Sequence, residues 1–233
     1  MIKNKRSGAV KKFVSTGLVA TLLLLDQPAN TYSNKPLDYE EYYKTELLKS
    51  IEENKDSFPA WSSEAKLYRA LEYKALLSEV ESKYSIEPGL LVGLMIQESS
   101  ANPLALNSLG DGGAGAFQFQ PGTALSLGLK VYESNPSTGP DFEHGRSLRS
   151  LVSTHEYDAY SLTEIDERFD VAKSADAAGR YLSQKYEKYG DWDMALDAYR
   201  RGSARNNFRN TTHVMNIRKY QDMYLDYVSK FTL

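Results

Sequence analysis

Apolar positions along this chain recur at intervals of three and four, in blocks separated by proline, glycine and short polar runs, which predicts a mainly helical protein. Tyr43, Leu47 and Ile51 share one helical face before Asp56-Ser57-Phe58-Pro59 breaks the run. A second periodic stretch extends from Ser63 to Tyr84, with Leu67, Leu71, Leu77 and Val80 inward and charges outward. Pro88 fits the first turn of a further helix, in which Leu90, Leu91, Leu94 and Met95 repeat until Asn102-Pro103 blocks continuation. Trp192, Ala195, Leu196 and Tyr199 follow the i, i+3, i+4, i+7 pattern, with Asp191 placed as an N-cap and Gly202 as the stop.

The start of the chain has a different character. Five basic residues, Lys3, Lys5, Arg6, Lys11 and Lys12, precede an apolar run from Phe13 to Leu25. That length suits a signal h-region better than a membrane span. Residues 1–33 are therefore expected to be an export signal or, uncleaved, a membrane anchor, because neither Ala29 nor Ser33 makes a strong cleavage site. Export would place the chain in the periplasm or cell envelope, with membrane association through this segment left open.

Candidate chemistry centres on Glu98. It falls in the last turn of an apolar helix, where burial against leucines and the partial negative charge of a helix C-terminus both disfavour its charged form. A carboxyl kept protonated near neutrality is a general acid. By itself Glu98 is one of 31 acidic residues, and a helix-end ornament is the simpler reading.

Four ordered motifs change those odds. They are Glu98-Ser99-x-x-Asn102-Pro103, Gly115-x-x-Gln118-x-x-Pro121-x-Thr123-Ala124, Arg168-Phe169-Asp170-x-x-x-Ser174, and Gly190-Asp191-Trp192-x-x-Ala195-Leu196-x-Ala198-Tyr199. From Leu76 to Tyr224 the chain resembles the soluble-type lytic transglycosylases, whose catalytic domain is lysozyme-like. The resemblance implies a mainly α, lysozyme-like transglycosylase domain over 76–233, with a helical prefix over 34–75 as an N-terminal extension. It places the catalytic acid/base on Glu98 and a supporting serine on Ser99. The glutamine of the family's Gly-Leu-Met-Gln motif falls on Gln118, with Ala116-Phe117 replacing Leu-Met and Phe117 keeping an apolar wall. The tyrosine of its Ala-Tyr-Asn motif falls on Tyr199, with Arg200 in place of the asparagine, and a later family tyrosine falls on His213. Ser99, Phe117, Gln118, Tyr199, Arg200 and His213 are thus expected around the substrate.

Enzymes of this kind cleave peptidoglycan glycan strands. A single carboxyl protonates the oxygen between N-acetylmuramic acid (MurNAc) and N-acetylglucosamine (GlcNAc), then accepts the proton of the muramyl 6-hydroxyl, which closes on C1 to leave a 1,6-anhydro end. The tethered hydroxyl has a large effective molarity, which makes the second carboxylate used by most glycosidases dispensable. Gly110-Asp111-Gly112-Gly113 resembles the Gly-Asp-x-Gly turn of goose-type lysozymes, and through it Asp111 enters as a candidate for positioning water in a hydrolytic muramidase. The bland reading of Asp111 is a turn residue bonded to its own backbone. A glycan-binding adaptor, with the Arg200 and His213 changes marking lost catalysis, is the alternative outside enzymology, and a secretion or virion assembly stays open as its setting.

Val131 to Asp166 is longer than the resemblance requires between the glutamine and the Arg-Phe-Asp motif. Its Ser, Pro, Gly and charge content fits a loop-bearing insertion at the cleft or a disordered excursion equally well. The arginines at 200, 201, 205 and 209 fit a solvated basic face, or forks for muramyl and stem-peptide carboxylates.

Composition narrows the field. The 233 residues hold one ordinary domain with extensions, and 41% hydrophobic content supports a core. Of 28 basic and 31 acidic residues, five and one lie in residues 1–33, so the remainder carries 23 against 30, a charge of −7. An acidic body argues against nucleic acid as a partner. Zero cysteines exclude disulfides and a lipobox, and His144, His155 and His213 form no zinc signature. No cofactor is expected.

Overall fold

The structure, a computed structural model, describes residues 62–133 and 139–231. The export segment and the prefix helix expected around Tyr43 to Ile51 lie outside these residues. Nine α-helices and one 3-10 turn make up the described fold, and no strand forms among the described residues.

Leu67, Leu71, Leu77 and Val80 are all buried, but on two helices. These are α1, Ser63–Leu71, and α2, Lys74–Lys83. Leu71 and Leu77 are six residues apart, about 240° around a helix, so a single rod cannot turn both inward. The break at Glu72 and Tyr73 resolves the conflict. Ser62 caps α1 by accepting the Ala65 N–H at 3.1 Å.

The third helix, α3, Leu90–Ser99, is apolar on every side, and every residue from Leu90 to Ile96 is buried. A helix of that composition belongs in the centre of the domain. It starts two residues after Pro88, with Gly89 at its cap. It ends at Ser99, where Ser100 and then Ala101 turn left-handed at φ 58° and 59°. Its N-terminus is capped from outside its own segment. The buried Glu81 of α2 accepts the Gly89 N–H at 2.9 Å and the Leu91 N–H at 2.8 Å. Burial pushes that carboxyl up to about 7, against the opposing pull of the two backbone bonds.

Beyond the glycine-rich loop lie α4, Pro121–Ser126, then α5, Phe142–Thr154, and α6, Ala159–Ile165. The segment 131–166, expected as a loop-bearing insertion or a disordered excursion, is corrected here: from Phe142 to Ile165 it is mostly helical. Asp141 caps α5 through the His144 N–H at 2.9 Å, and Asp158 caps α6 through the Ser161 N–H at 3.0 Å. Leu148, Val152 and Leu162 then build a small second core with Ala114 and Phe169. Isolated bridges from Ala114 to Leu106 and to Phe119 tie the loop against this core.

The last three helices are α7, Val171–Tyr189, α8, Trp192–Arg201, and α9, Thr212–Phe231. Asp191 caps α8 through the Met194 N–H at 2.9 Å, and Gly202 ends it at φ 82°, as expected. α9 lies along α3 in the most extensive helix pair of the fold. Gly93 permits the approach: a Cβ there would stand 2.4 Å from the Ile217 carbonyl oxygen.

Candidate active site

The α3–α9 pairing brings the end of one helix to the start of the other. Glu98 leaves the last turn of α3, and His213 stands in the first turn of α9. His213 Nε2 lies 2.6 Å from Glu98 Oε1, with the imidazole side chain 3% exposed and the carboxyl 16% exposed. The acid is therefore mostly covered yet retains an open side. His213, expected as a substrate contact, instead touches the candidate acid. The other ring nitrogen, Nδ1, is buried and has no hydrogen-bond partner among the described residues.

Around Glu98 the turn is held from three directions. Ser99 Oγ donates to the Met95 carbonyl at 3.0 Å and accepts the Asn102 N–H at 3.2 Å. Arg69 Nε of α1 donates to the Ser100 carbonyl at 3.0 Å. Two successive left-handed residues without glycine cost energy locally, and these bonds hold them in place.

Tyr199 faces the same region from α8. Its hydroxyl donates to the Phe117 carbonyl at 3.0 Å, and its ring meets those of Phe119 and Tyr181 at centroid distances of 5.7 and 5.4 Å. Burial, then the charge of Glu98, push its hydroxyl well above the usual tyrosine range, so it stays a neutral donor. Phe117 itself is a correction. Its ring is 1% exposed and packs in the main core, so its carbonyl, not an apolar wall, is what it offers near the site.

Gln118 sits at φ 51° and turns its amide inward, donating to the Gly115 carbonyl at 2.9 Å and to Ala105 at 3.2 Å. It braces the loop. Asp111 Oδ1 accepts the Gly113 N–H at 3.2 Å, the self-bonded turn of the bland reading, and its carbonyl accepts the Asp141 N–H at 2.7 Å. Arg200 is exposed on the last turn of α8. Arg205 and Arg209 are engaged by acids of this chain, Arg205 with Asp197 at 3.1 Å and Arg209 with Asp191 and Asp193.

Sequence reasoning missed what holds the loop. Arg168 is 0% exposed and places all five N–H donors. Nε and Nη2 clamp the buried Asp166 at 3.0 and 2.7 Å, Nη1 reaches the carbonyls of Gly112 and Phe119 at 2.7 and 3.1 Å, and Nη2 also meets His144 Nε2 at 2.8 Å. Asp166 further accepts the backbone N–H of Arg168 and Tyr132. A buried ion pair is tolerable only when both partners are satisfied this fully. Gly115 belongs to the same clamp, since a Cβ there would lie 1.9 Å from the Arg168 carbonyl oxygen. The Arg-Phe-Asp motif carried this signal, because an arginine fixed within a motif has a partner to find.

A helical domain with a central buried helix, a carboxyl emerging from its last turn, and a loop lobe clamped across it is lysozyme-like in class. The Transglycosylase SLT domain matches residues 75–141 and 149–220, and the chain belongs to that family of peptidoglycan-cleaving lytic transglycosylases. The gap in the match, 142–148, falls on the first half of α5. Comparison with curated proteins and with solved structures gives no significant match.

Proposed function

We propose that this enzyme cleaves the MurNAc–GlcNAc β-1,4 bond of peptidoglycan by transglycosylation, with Glu98 acting first as acid and then as base. Glu98 gives its proton to the bridging oxygen as the bond to muramyl C1 breaks. The carboxylate then takes the proton of the muramyl 6-hydroxyl as that oxygen bonds C1, and the 1,6-anhydro product leaves with no water consumed. Carboxyl and substrate end the cycle in balance.

The observation that carries this reading is the position of Glu98: last turn of the most buried helix, partly open, and paired with an imidazole. A hydrolytic route needs a second group to activate water. Asp111, the candidate, bonds a backbone N–H of its own turn, which favours transglycosylation over the muramidase alternative. Tyr199, partly buried with its hydroxyl kept neutral by burial and then by the charge of Glu98, is proposed to face the substrate with the exposed Arg200, while Ser99 and Gln118 hold the turn and the loop beside Glu98. Residues 1–33 are proposed to export the chain to the envelope where peptidoglycan lies. No helix among the described residues is long and apolar enough to cross a membrane.

Glu98→Gln tests the assignment. The amide fills the same volume without carrying a proton, so clearing of purified sacculi should fall by about 10²-fold or more while sacculus binding persists. Clearing at the wild-type rate would remove Glu98 from the role.

A further inference from the structure

We propose that His213 is the positioning residue of the catalytic acid: its Nε2–H holds Glu98 Oε1 and so assigns the transferable proton to Oε2. This inference rests on the reading of Glu98 as the acid.

One ring nitrogen of His213, Nδ1, is buried and unpartnered among the described residues. At 2.6 Å, His213 Nε2 and Glu98 Oε1 share a proton, and either atom can carry it. Were it the carboxyl, the neutral imidazole would carry its own proton on Nδ1, a buried donor with no acceptor. Buried orphan N–H groups are rarer and costlier than under-used acceptors. The tautomer with Nε2–H and a bare Nδ1 lone pair avoids that cost. It donates to Oε1, and the carboxyl's own proton then sits on Oε2.

An imidazolium would likewise carry an N–H at Nδ1 with no acceptor to receive it. With Nε2–H directed at Oε1 and a bare Nδ1, the carboxyl's own proton sits on Oε2, where it can be donated.

The surrounding charges do not reverse this. Tyr199 of α8 is held neutral, and Tyr181 of α7 meets it ring to ring. Arg209 before α9 is committed to Asp191 and Asp193, Arg205 after α8 to Asp197, and Arg218 of α9 to Asp193 and Glu87. One tautomer then serves both half-reactions. The Nε2–H bond to Oε1 strengthens when Oε2 loses its proton to the glycosidic oxygen, and relaxes when Oε2 regains one from the 6-hydroxyl.

The test combines a spectrum and a rescue series on the full chain. In 15N NMR of labelled protein near neutral pH, His213 should show a protonated Nε2 and a bare Nδ1. A proton on Nδ1, alone or in imidazolium, would overturn the proposal. In turnover of purified peptidoglycan, His213→Leu should lower kcat by about tenfold to a hundredfold at nearly unchanged KM. His213→Gln and His213→Tyr, which restore a donor toward Oε1, should recover most of it. Equal loss in all three variants, each confirmed folded by circular dichroism, would mean a packing role and overturn the proposal. So would a fully active His213→Leu. Failure of the Glu98 reading is separate: it shows as an active Glu98→Gln, whatever the His213 spectrum gives.

Discussion

Arg168 Nη2 meets Nε2 of His144 at 2.8 Å inside the fold, and because a guanidinium only donates, the imidazole is neutral with its proton on Nδ1. Burial, then the charge of Arg168, hold His144 below the ordinary histidine value of 6.5. Below 6.5 the unfolded chain takes up a proton that the folded chain refuses, so stability from this site falls as pH drops through that value. His144→Gln keeps an acceptor for Arg168 and does not titrate. Between about pH 8 and about pH 5 the wild type should lose thermal stability relative to His144→Gln. Parallel melting curves across that range would contradict the assignment.

Glu81 titrates in the opposite sense. Its folded value, raised to about 7 from an ordinary 4.5, means the folded chain takes up a proton first as pH falls through that window, which adds stability. Glu81→Ala leaves the N–H groups of Gly89 and Leu91 without an acceptor. It should cost about 2–4 kcal/mol in urea unfolding, as expected for two stranded buried donors at a helix start. The gap to wild type should widen as pH falls from about 7 toward about 5. A loss under about 0.5 kcal/mol would mean that water replaces the cap.

Gly93 links packing to chemistry. A methyl group there collides with the Ile217 carbonyl oxygen and must push α9 away from α3, the two helices that carry His213 and Glu98. Gly93→Ala should destabilise by about 1–3 kcal/mol despite alanine's better helix propensity. Activity of the fraction that remains folded should also fall, by about tenfold, because the shift would move His213 off Glu98, the proposed acid, and small misplacements at a reacting group are costly. Full activity per folded molecule would show that the pair tolerates the shift.

The helices were legible where one residue type decides the outcome. Asp191 and Gly202 bracket α8 because an N-cap carboxylate and a left-handed glycine act locally. Glu98 in the last turn of α3 followed from the same kind of signal. What stayed hidden depends on partners distant in sequence. Glu81 caps a helix that it does not belong to, Arg168 reaches across 56 residues to Gly112, and His213 meets Glu98 across 115. The 142–165 helices were obscured because their apolar positions are few, and Leu148, Val152 and Leu162 become a core only when Ala114 and Phe169 arrive from elsewhere. Phe117 read as a cleft wall because a sequence gives no direction for a ring beside a turn.

Asp111 separates two chemistries. Bonded to the Gly113 N–H, it is expected to shape its turn, so Asp111→Asn should leave turnover within about tenfold of wild type. A water-activating base would lose roughly 10²- to 10⁴-fold on the same change. Rates on purified peptidoglycan distinguish the two.

Mass spectrometry of the fragments released from purified peptidoglycan tests the central claim most directly. A single Glu98 with the muramyl 6-hydroxyl as nucleophile predicts glycan ends of 1,6-anhydro-MurNAc, lighter by one water than the ends a hydrolase leaves. Predominantly reducing MurNAc ends would contradict the transglycosylase account and favour the muramidase, and sacculi bound without release of fragments would contradict catalysis altogether.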